Sequence, residues 1–158
     1  MPISNYLKSL REKIGTDLVL MPAVTALIFN DQQHVLLHRA ATDGRWYTIG
    51  GAIDPGEDPA DAAVREAFEE TGLRVRPARI VGVYTDPIVT YPNGDRVCYV
   101  STCFLCEIIG GSLEPQDDES LELRYFPASE LPELPATHRH RIMQALANQD
   151  RAWFASKL

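Results

Sequence analysis

A mixed α+β fold is the class this 158-residue chain predicts, on three observations. The stretch 58–71 has the start, apolar stripe and stop of a helix. The stretch 96–109 is apolar on both faces, as a central strand is. Shorter β-type runs precede and follow these two, with turn residues between them. The length suffices for one domain with a substantial core, and 45% apolar with 23% charged residues is ordinary for a globular chain. No internal repeat or low-complexity linker divides it, so one domain over residues 1–158 is expected, with its core at about 18–148.

Residues 4–14 read as a short helix that Ser4 can cap and Gly15 can stop, with Leu7, Leu10 and Ile14 on one stripe. It can lie on the core or on a second subunit, so a homodimer is one expectation. Leu18–Asn30 reads as a buried strand, with Pro22 at a kink or an edge. Asp31-Gln32-Gln33 turns the chain and His34–Arg39 returns as a second strand. Tyr47–Ile53 reads as an extended segment leading to Gly50 and Gly51.

Asp58 then suits a helix cap, Pro59 the first helical position and Gly72 a left-handed stop. At helical pitch Ala60, Ala63, Val64, Ala67, Phe68 and Thr71 form one face. After this helix, Arg74–Pro77 reads as an exit and Ala78–Tyr84 as a strand. Ile88–Tyr91 and Arg96–Ile109 flank Asn93-Gly94, a pair that suits a hairpin turn with positive φ at both positions. Leu113–Ser120 is an acidic loop, and Leu121–Phe126 alternates as a strand does. A short helical turn at 129–132 and a final helix capped by Thr137 and running to about Asn148 complete the order. In that helix Ile142, Met143 and Leu146 are expected inward, with His138 and His140 at the surface.

A net charge of −7 argues against a nucleic-acid polymer or an anionic membrane as partner, since both select basic surfaces. A nucleotide stays compatible, because bound metal reverses the local sign. Three cysteines make no closed disulfide framework, and Cys103 and Cys106 lie at an odd offset that sends them to opposite strand faces. Without a secretory signal or a bilayer-length apolar run, a cytoplasmic location is expected.

Chemistry concentrates on the helix at 58–71. Glu66, Glu69 and Glu70 stand at i, i+3 and i+4, on an arc other than the apolar one. Like charges at this spacing repel by roughly 0.2–0.5 kcal/mol per pair. Arg65 alone cannot balance three acids plus Glu57. Either the arc is a solvated acidic face or a divalent cation compensates it, and hard oxygen donors of this kind suit Mg²⁺ or Mn²⁺.

The stretch Gly51–Leu73 also resembles the Nudix (MutT-like) signature. Gly51, Glu57, Arg65, Glu66, Glu69, Glu70, Gly72 and Leu73 stand in its register. Ala67 replaces a larger aliphatic residue, and Ile49 stands where members often carry proline before Gly50-Gly51. The resemblance extends over roughly residues 18–148. It implies a mixed sheet sandwiched between helices, and a metal-dependent hydrolase of pyrophosphate links in nucleoside diphosphate derivatives. It assigns Glu66, Glu69 and Glu70 as metal ligands with the Gly50 carbonyl, and Glu57 as a direct or water-mediated fourth acid. Arg65 would orient a glutamate.

The base would be a glutamate of this signature, the Nudix box, such as Glu69, or a loop acid: Glu119, with Asp118 and Glu122 behind it. Trp46, Tyr47 and Tyr91 are candidates to stack a base or simply to pack, and Arg39 is a further candidate substrate contact. Pro87 and Tyr91 lie near subtype-marking positions of the family but out of step, leaving a lean to ADP-ribose or a nucleotide sugar, with nucleoside triphosphates next. The competing expectation is a Nudix-fold nucleotide sensor without turnover; a plain interaction domain is the third.

Overall fold

The computed structural model describes residues 4–116, 120–147 and 150–155. Its helices are α1 (Asn5–Ile14), α2 (Pro59–Thr71) and α3 (Ala136–Leu146), with a single 3₁₀ turn at Ala128–Glu130. The strands are β1 (Leu18–Ile28), β2 (Val35–Ala40), β3 (Trp46–Thr48), β4 (Leu73–Thr85), β5 (Val89–Thr90), β6 (Arg96–Gly111), β7 (Ser120–Phe126) and β8 (Trp153–Phe154). Among these residues no helix is long and apolar enough to cross a membrane.

One sheet runs β1-β6-β4-β8, with β5 also paired to β6; the other runs β3-β2-β7. The long apolar strand β6 is central, as its two buried faces require, with β1 parallel on one side and β4 antiparallel on the other. Pro22 lies on the edge of β1 away from β6, along which the segment 49–53 runs. Its carbonyl there accepts from the Ile53 N–H, so its missing N–H breaks no ladder bond with β6.

Alternate residues of β1 feed two cores. Val24, Ala26 and Ile28 face α2, together with Ala62, Ala63, Ala67 and Cys106. Leu27 faces α3, together with Cys103, Ile142 and Ala145. Cys103 and Cys106 thus point to opposite faces, as their odd offset requires. The mixed sheets with helices on both sides match the expected class.

Several expectations are corrected. The second strand forms as expected, as β2, but it enters the other sheet and touches the β1 side through a Phe29–Val35 bridge. The β4 strand begins at Leu73, not Ala78, because left-handed Gly72 (φ 72°) turns the chain directly into pairing with Gly111. The register slips near Pro77 and Arg79, which accommodates the proline. In the Asn93-Gly94 turn only Gly94 has positive φ, so the loop is not the two-residue form.

Asp58 occupies the α2 cap position without a side-chain bond. Pro135, not Thr137, precedes α3, and Met143 is exposed rather than inward. Asn148, the expected end of that helix, lies outside the described residues. Strand β8 has no counterpart among the expectations. Its Trp153 stacks on Tyr84 at 4.8 Å between centroids, beneath His140.

Helix α1 follows its expected bounds, with Ser4 Oγ accepting from the Leu7 N–H. It docks on its own chain: the Arg11 guanidinium donates to the carbonyls of Gly15, Asp17 and Arg96.

Candidate active site

Burial on α2 does not follow its most apolar arc. Ala62, Ala63, Glu66, Ala67, Glu70 and Thr71 are buried, whereas Phe68 is 40% exposed. The covered face is rotated by a fraction of a turn from the expected one. Glu66 is left 1% exposed and Glu70 3% exposed. Two carboxylates are thereby drawn out of water, which costs free energy unless each finds partners.

Glu66 finds one in Arg65. The Arg65 Nε and Nη2 grip both Glu57 carboxylate oxygens at 2.8 and 2.9 Å. Its Nη1 donates to Glu66 Oε1 at 2.7 Å and Glu69 Oε2 at 3.1 Å. Nη2 also donates to the Ala52 carbonyl at 3.1 Å. These bonds use the whole guanidinium fork, and one positive charge serves three carboxylates.

The charges show the imbalance. The Arg65 hydrogen bonds hold Glu57 below the usual carboxylate range. Burial pushes Glu66 up to about 7 even though Arg65 opposes it. Arg65 itself is held more firmly protonated, first by its bonds to Glu57.

Glu70 turns the other way. Its Oε2 accepts from the Gly50 N–H at 3.0 Å, and its Oε1 lies 3.8 Å from His38 Nδ1. His38 in turn lies 3.0 Å from Ser120 Oγ. Gly50 fits only as glycine, since a Cβ would fall 2.2 Å from the Val24 carbonyl oxygen. The Val24 and Ala26 N–H groups bond the Gly51 and Ile49 carbonyls, both at 2.9 Å, so β1 clamps this segment.

Past β6, the Glu114 and Gln116 N–H groups return to the Thr71 and Glu69 carbonyls at 2.9 and 2.8 Å. They satisfy the end of α2 and bring the start of the acidic loop to the box. Asp118 and Glu119, named from the sequence as base candidates, lie outside the described residues.

The structure thus gathers Gly50, Glu57, Arg65, Glu66, Glu69 and Glu70. It does not bring the other candidates equally close. Arg39 Nε pairs with Glu122 on β7 at 3.3 Å. Trp46 packs edge-on to Phe126 at 4.9 Å, in the core beneath α3. Tyr91 stands on the β5–β6 hairpin, its hydroxyl 2.7 Å from that of Tyr99. The Tyr47 ring lies 6.2 Å from that of His38 between centroids, and its hydroxyl donates to Asp43 at 2.6 Å; burial and that partner push the phenol up to about 12.

His138 corrects the surface expectation. Its Nδ1 lies 2.8 Å from Thr48 Oγ1 and 3.3 Å from the Thr48 nitrogen, with the Tyr47 ring edge-on at 5.4 Å. Burial lowers its pKa to about 4. Sequence reading misses both His38 and His138. The only signal for His38 is its place directly after three apolar residues of a strand; His138 offers none, its partner being 90 positions away.

Among the described residues no three His, Cys, Asp or Glu side chains form a ready-made metal cage. Here a guanidinium stands among the acids. The donor set nevertheless fits a hard divalent ion: oxygen ligands only, in excess over the charge that Arg65 supplies.

Comparison with known proteins bears on the family and the fold. The NUDIX domain model matches residues 19–147. An ADP-ribose pyrophosphatase of Methanocaldococcus jannaschii is 34% identical over 122 residues, covering 76% of this chain and 69% of that protein. A NUDIX hydrolase structure from Nitrosomonas europaea superposes with a TM-score of 0.69 at 22% identity, covering 82% of this chain and 90% of that one. The MutT protein structure from Methanosarcina mazei Go1 gives 0.67 at 22% identity, over 85% of this chain and 99% of that one. At such identity the two structures speak to the fold, while the family model and the archaeal relative speak to descent. With the box residues gathered on one helix and its leading loop, the chain belongs to the Nudix family and is a Nudix pyrophosphohydrolase.

Proposed function

We propose that the chain hydrolyses the pyrophosphate link of a nucleoside diphosphate derivative, with ADP-ribose or a related nucleotide sugar as the substrate class and Mg²⁺ as the ion, Mn²⁺ substituting. Hydrolases of this family generally use divalent metals. The observation that carries the reading is the surplus of carboxylate around Arg65. Glu57, Glu66 and Glu69 share one guanidinium, and Glu70 stands beside them on the same helix. A solvated acidic face would leave its glutamates in water; here two are buried.

Glu66, Glu69 and Glu70 would hold the ion, with the Gly50 carbonyl and Glu57. When bound, such an ion neutralises diphosphate charge and acidifies water. The chain's own part is to hold these acids in place. Arg65 ties Glu57, on the loop, to Glu66 and Glu69, on the helix. The Gly50 N–H holds Glu70. Water adds to one phosphorus, the anhydride P–O bond breaks, and two phosphomonoesters leave. The proton from water goes to a carboxylate, either in the box or at Glu119.

The substrate class is supported by the relative named an ADP-ribose pyrophosphatase. A nucleotide sensor would be expected to lose box acids, and this chain keeps them all.

A panel of ADP-ribose, UDP-glucose and nucleoside triphosphates at fixed Mg²⁺ tests the reading, with the nucleoside monophosphate product read by chromatography. Turnover of ADP-ribose above the triphosphates is expected. Glu69→Gln and Glu70→Gln should each lower kcat by about 100-fold or more, at or above the upper end for disturbing a metal's supporting residues. Near-native rates at saturating Mg²⁺ in either variant would overturn its ligand assignment. Glu119→Gln in the same assay locates the base: a large fall in kcat with unchanged metal affinity assigns it to the loop, and normal turnover assigns it to the box.

A further inference from the structure

We propose that His138, on α3, is a positioning residue for the box, acting through Thr48 on the Gly50 peptide. A backbone N–H can only donate, so the Thr48 N–H, 3.3 Å from His138 Nδ1, requires that nitrogen to be unprotonated. The Thr48 hydroxyl, 2.8 Å away, then also donates to it. The ring proton is therefore on Nε2, and the imidazole is neutral. Its pKa of about 4, lowered first by burial, agrees with that state.

Thr48 sits on β3, the edge strand of its sheet, so no further strand is at hand to take its N–H. His138 supplies the acceptor in place of a strand. The two residues after Thr48 have little freedom. Ile49 is fully buried and bonded to Ala26; Gly50 lies against the Val24 carbonyl with no room for a Cβ. A displacement of Thr48 is consequently passed on to the Gly50 N–H, and that N–H holds Glu70. Tyr47 closes the side of the imidazole. Helix α3 is thus joined to the box by one ring nitrogen, with no bond of its own to a box acid among the described contacts.

The functional consequence rests on the proposed assignment of Glu70 as a metal ligand; the structural consequence does not, and the test separates them. His138→Leu removes the acceptor and keeps bulk. His138→Asn places Oδ1 close to where Nδ1 was. Thr48→Val deletes the hydroxyl alone and serves if His138→Leu does not fold.

Amide hydrogen exchange at Gly50, read by NMR in the absence of metal, should accelerate about three- to tenfold in His138→Leu, the loss expected for one net hydrogen bond. Exchange in β6 should stay unchanged, and His138→Asn should restore Gly50. Mn²⁺ affinity and kcat for ADP-ribose should fall in parallel in His138→Leu and recover in His138→Asn. Accelerated Gly50 exchange with unchanged Mn²⁺ affinity would sink the assignment of Glu70 as ligand and leave the positioning role standing. Unchanged Gly50 exchange in both His138→Leu and Thr48→Val would overturn the proposal. So would equal losses in the Leu and Asn variants with equal falls in Tm, which would mean simple core packing.

Discussion

Two arginines, one on each side of the main sheet, are used in opposite ways. Arg141, on α3, is 2% exposed and grips a single carboxylate, Asp86, at 2.8 and 2.6 Å. Thr25 Oγ1 lies 3.3 Å away, and the Tyr84 ring lies under the guanidinium at 5.2 Å. Charge is matched one to one, with the arginine buried and the Asp86 side chain 13% exposed. Arg65, on α2, keeps 27% of its side chain exposed and serves three carboxylates at once. A matched pair leaves no charge over, whereas the outnumbered Arg65 leaves a surplus of carboxylate, the feature on which the proposed metal site rests. Fractional compensation, not the mere presence of an ion pair, distinguishes the proposed site from the rest of the fold.

The largest effect that probes this contrast is on stability. Arg141→Met would leave the partly buried Asp86 carboxylate without its cation; breaking a fully buried pair costs about 3–5 kcal/mol, and a loss toward the lower end of that range is expected. Urea unfolding should show that loss, with partial recovery when Asp86→Asn is added. A cost below about 1 kcal/mol would place the pair with ordinary surface ion pairs and erase the distinction.

The next effect belongs to the box. An ion that binds only the folded chain stabilises it by about 2.7 kcal/mol at a hundredfold excess over its Kd. Mn²⁺ should therefore raise Tm well above the effect of Na⁺ at matched ionic strength, and Glu69→Gln should remove most of the difference. Equal rises with both salts would mean screening of repulsion and no specific site.

The smallest effect is the pH dependence. Glu66 has a pKa of about 7 in the fold against an ordinary 4.5. The folded chain binds that proton more tightly than the unfolded one. Without metal, the Glu66 contribution to stability is thus fully present below about 4.5 and is lost as pH rises through 7. Metal needs the carboxylate, so Mn²⁺ affinity should be level above pH 7 and fall by up to about tenfold per unit below it. Glu66→Gln should flatten this slope. A profile that stays level down to pH 5 in the native chain would show that Glu66 is not protonated where the fold places it.

Much of the site is legible in the sequence because it is local. Glu57, Arg65, Glu66 and Glu69 lie within one loop and one helix, where spacing alone sets which side chains meet. Periodicity still errs on α2, where it puts Phe68 toward the core and Glu66 and Glu70 on another arc, although Val64 does pack against the core as expected. In the structure Glu66 and Glu70 are buried and Phe68 is 40% exposed. Helical pitch tells which residues share an arc, but not which arc a neighbouring sheet covers. Phe68 is more apolar; small Ala62 and Ala63 allow closer approach to β1.

By itself the sequence determined the mixed class, the central place of β6, the bounds of α2 and the membership of the box. Each is written in a local period: strand alternation, helical pitch, or the proline and glycine that start and stop a helix. Only the tertiary structure decided that β2 leaves β1 for a second sheet, that Trp153 returns to pair beside β4, and that His138 supplies the acceptor for Thr48. Those contacts join residues far apart in the chain, through donors and acceptors that every polypeptide carries. No spacing marks them, and only the closing of one element over another selects which nitrogen meets which oxygen.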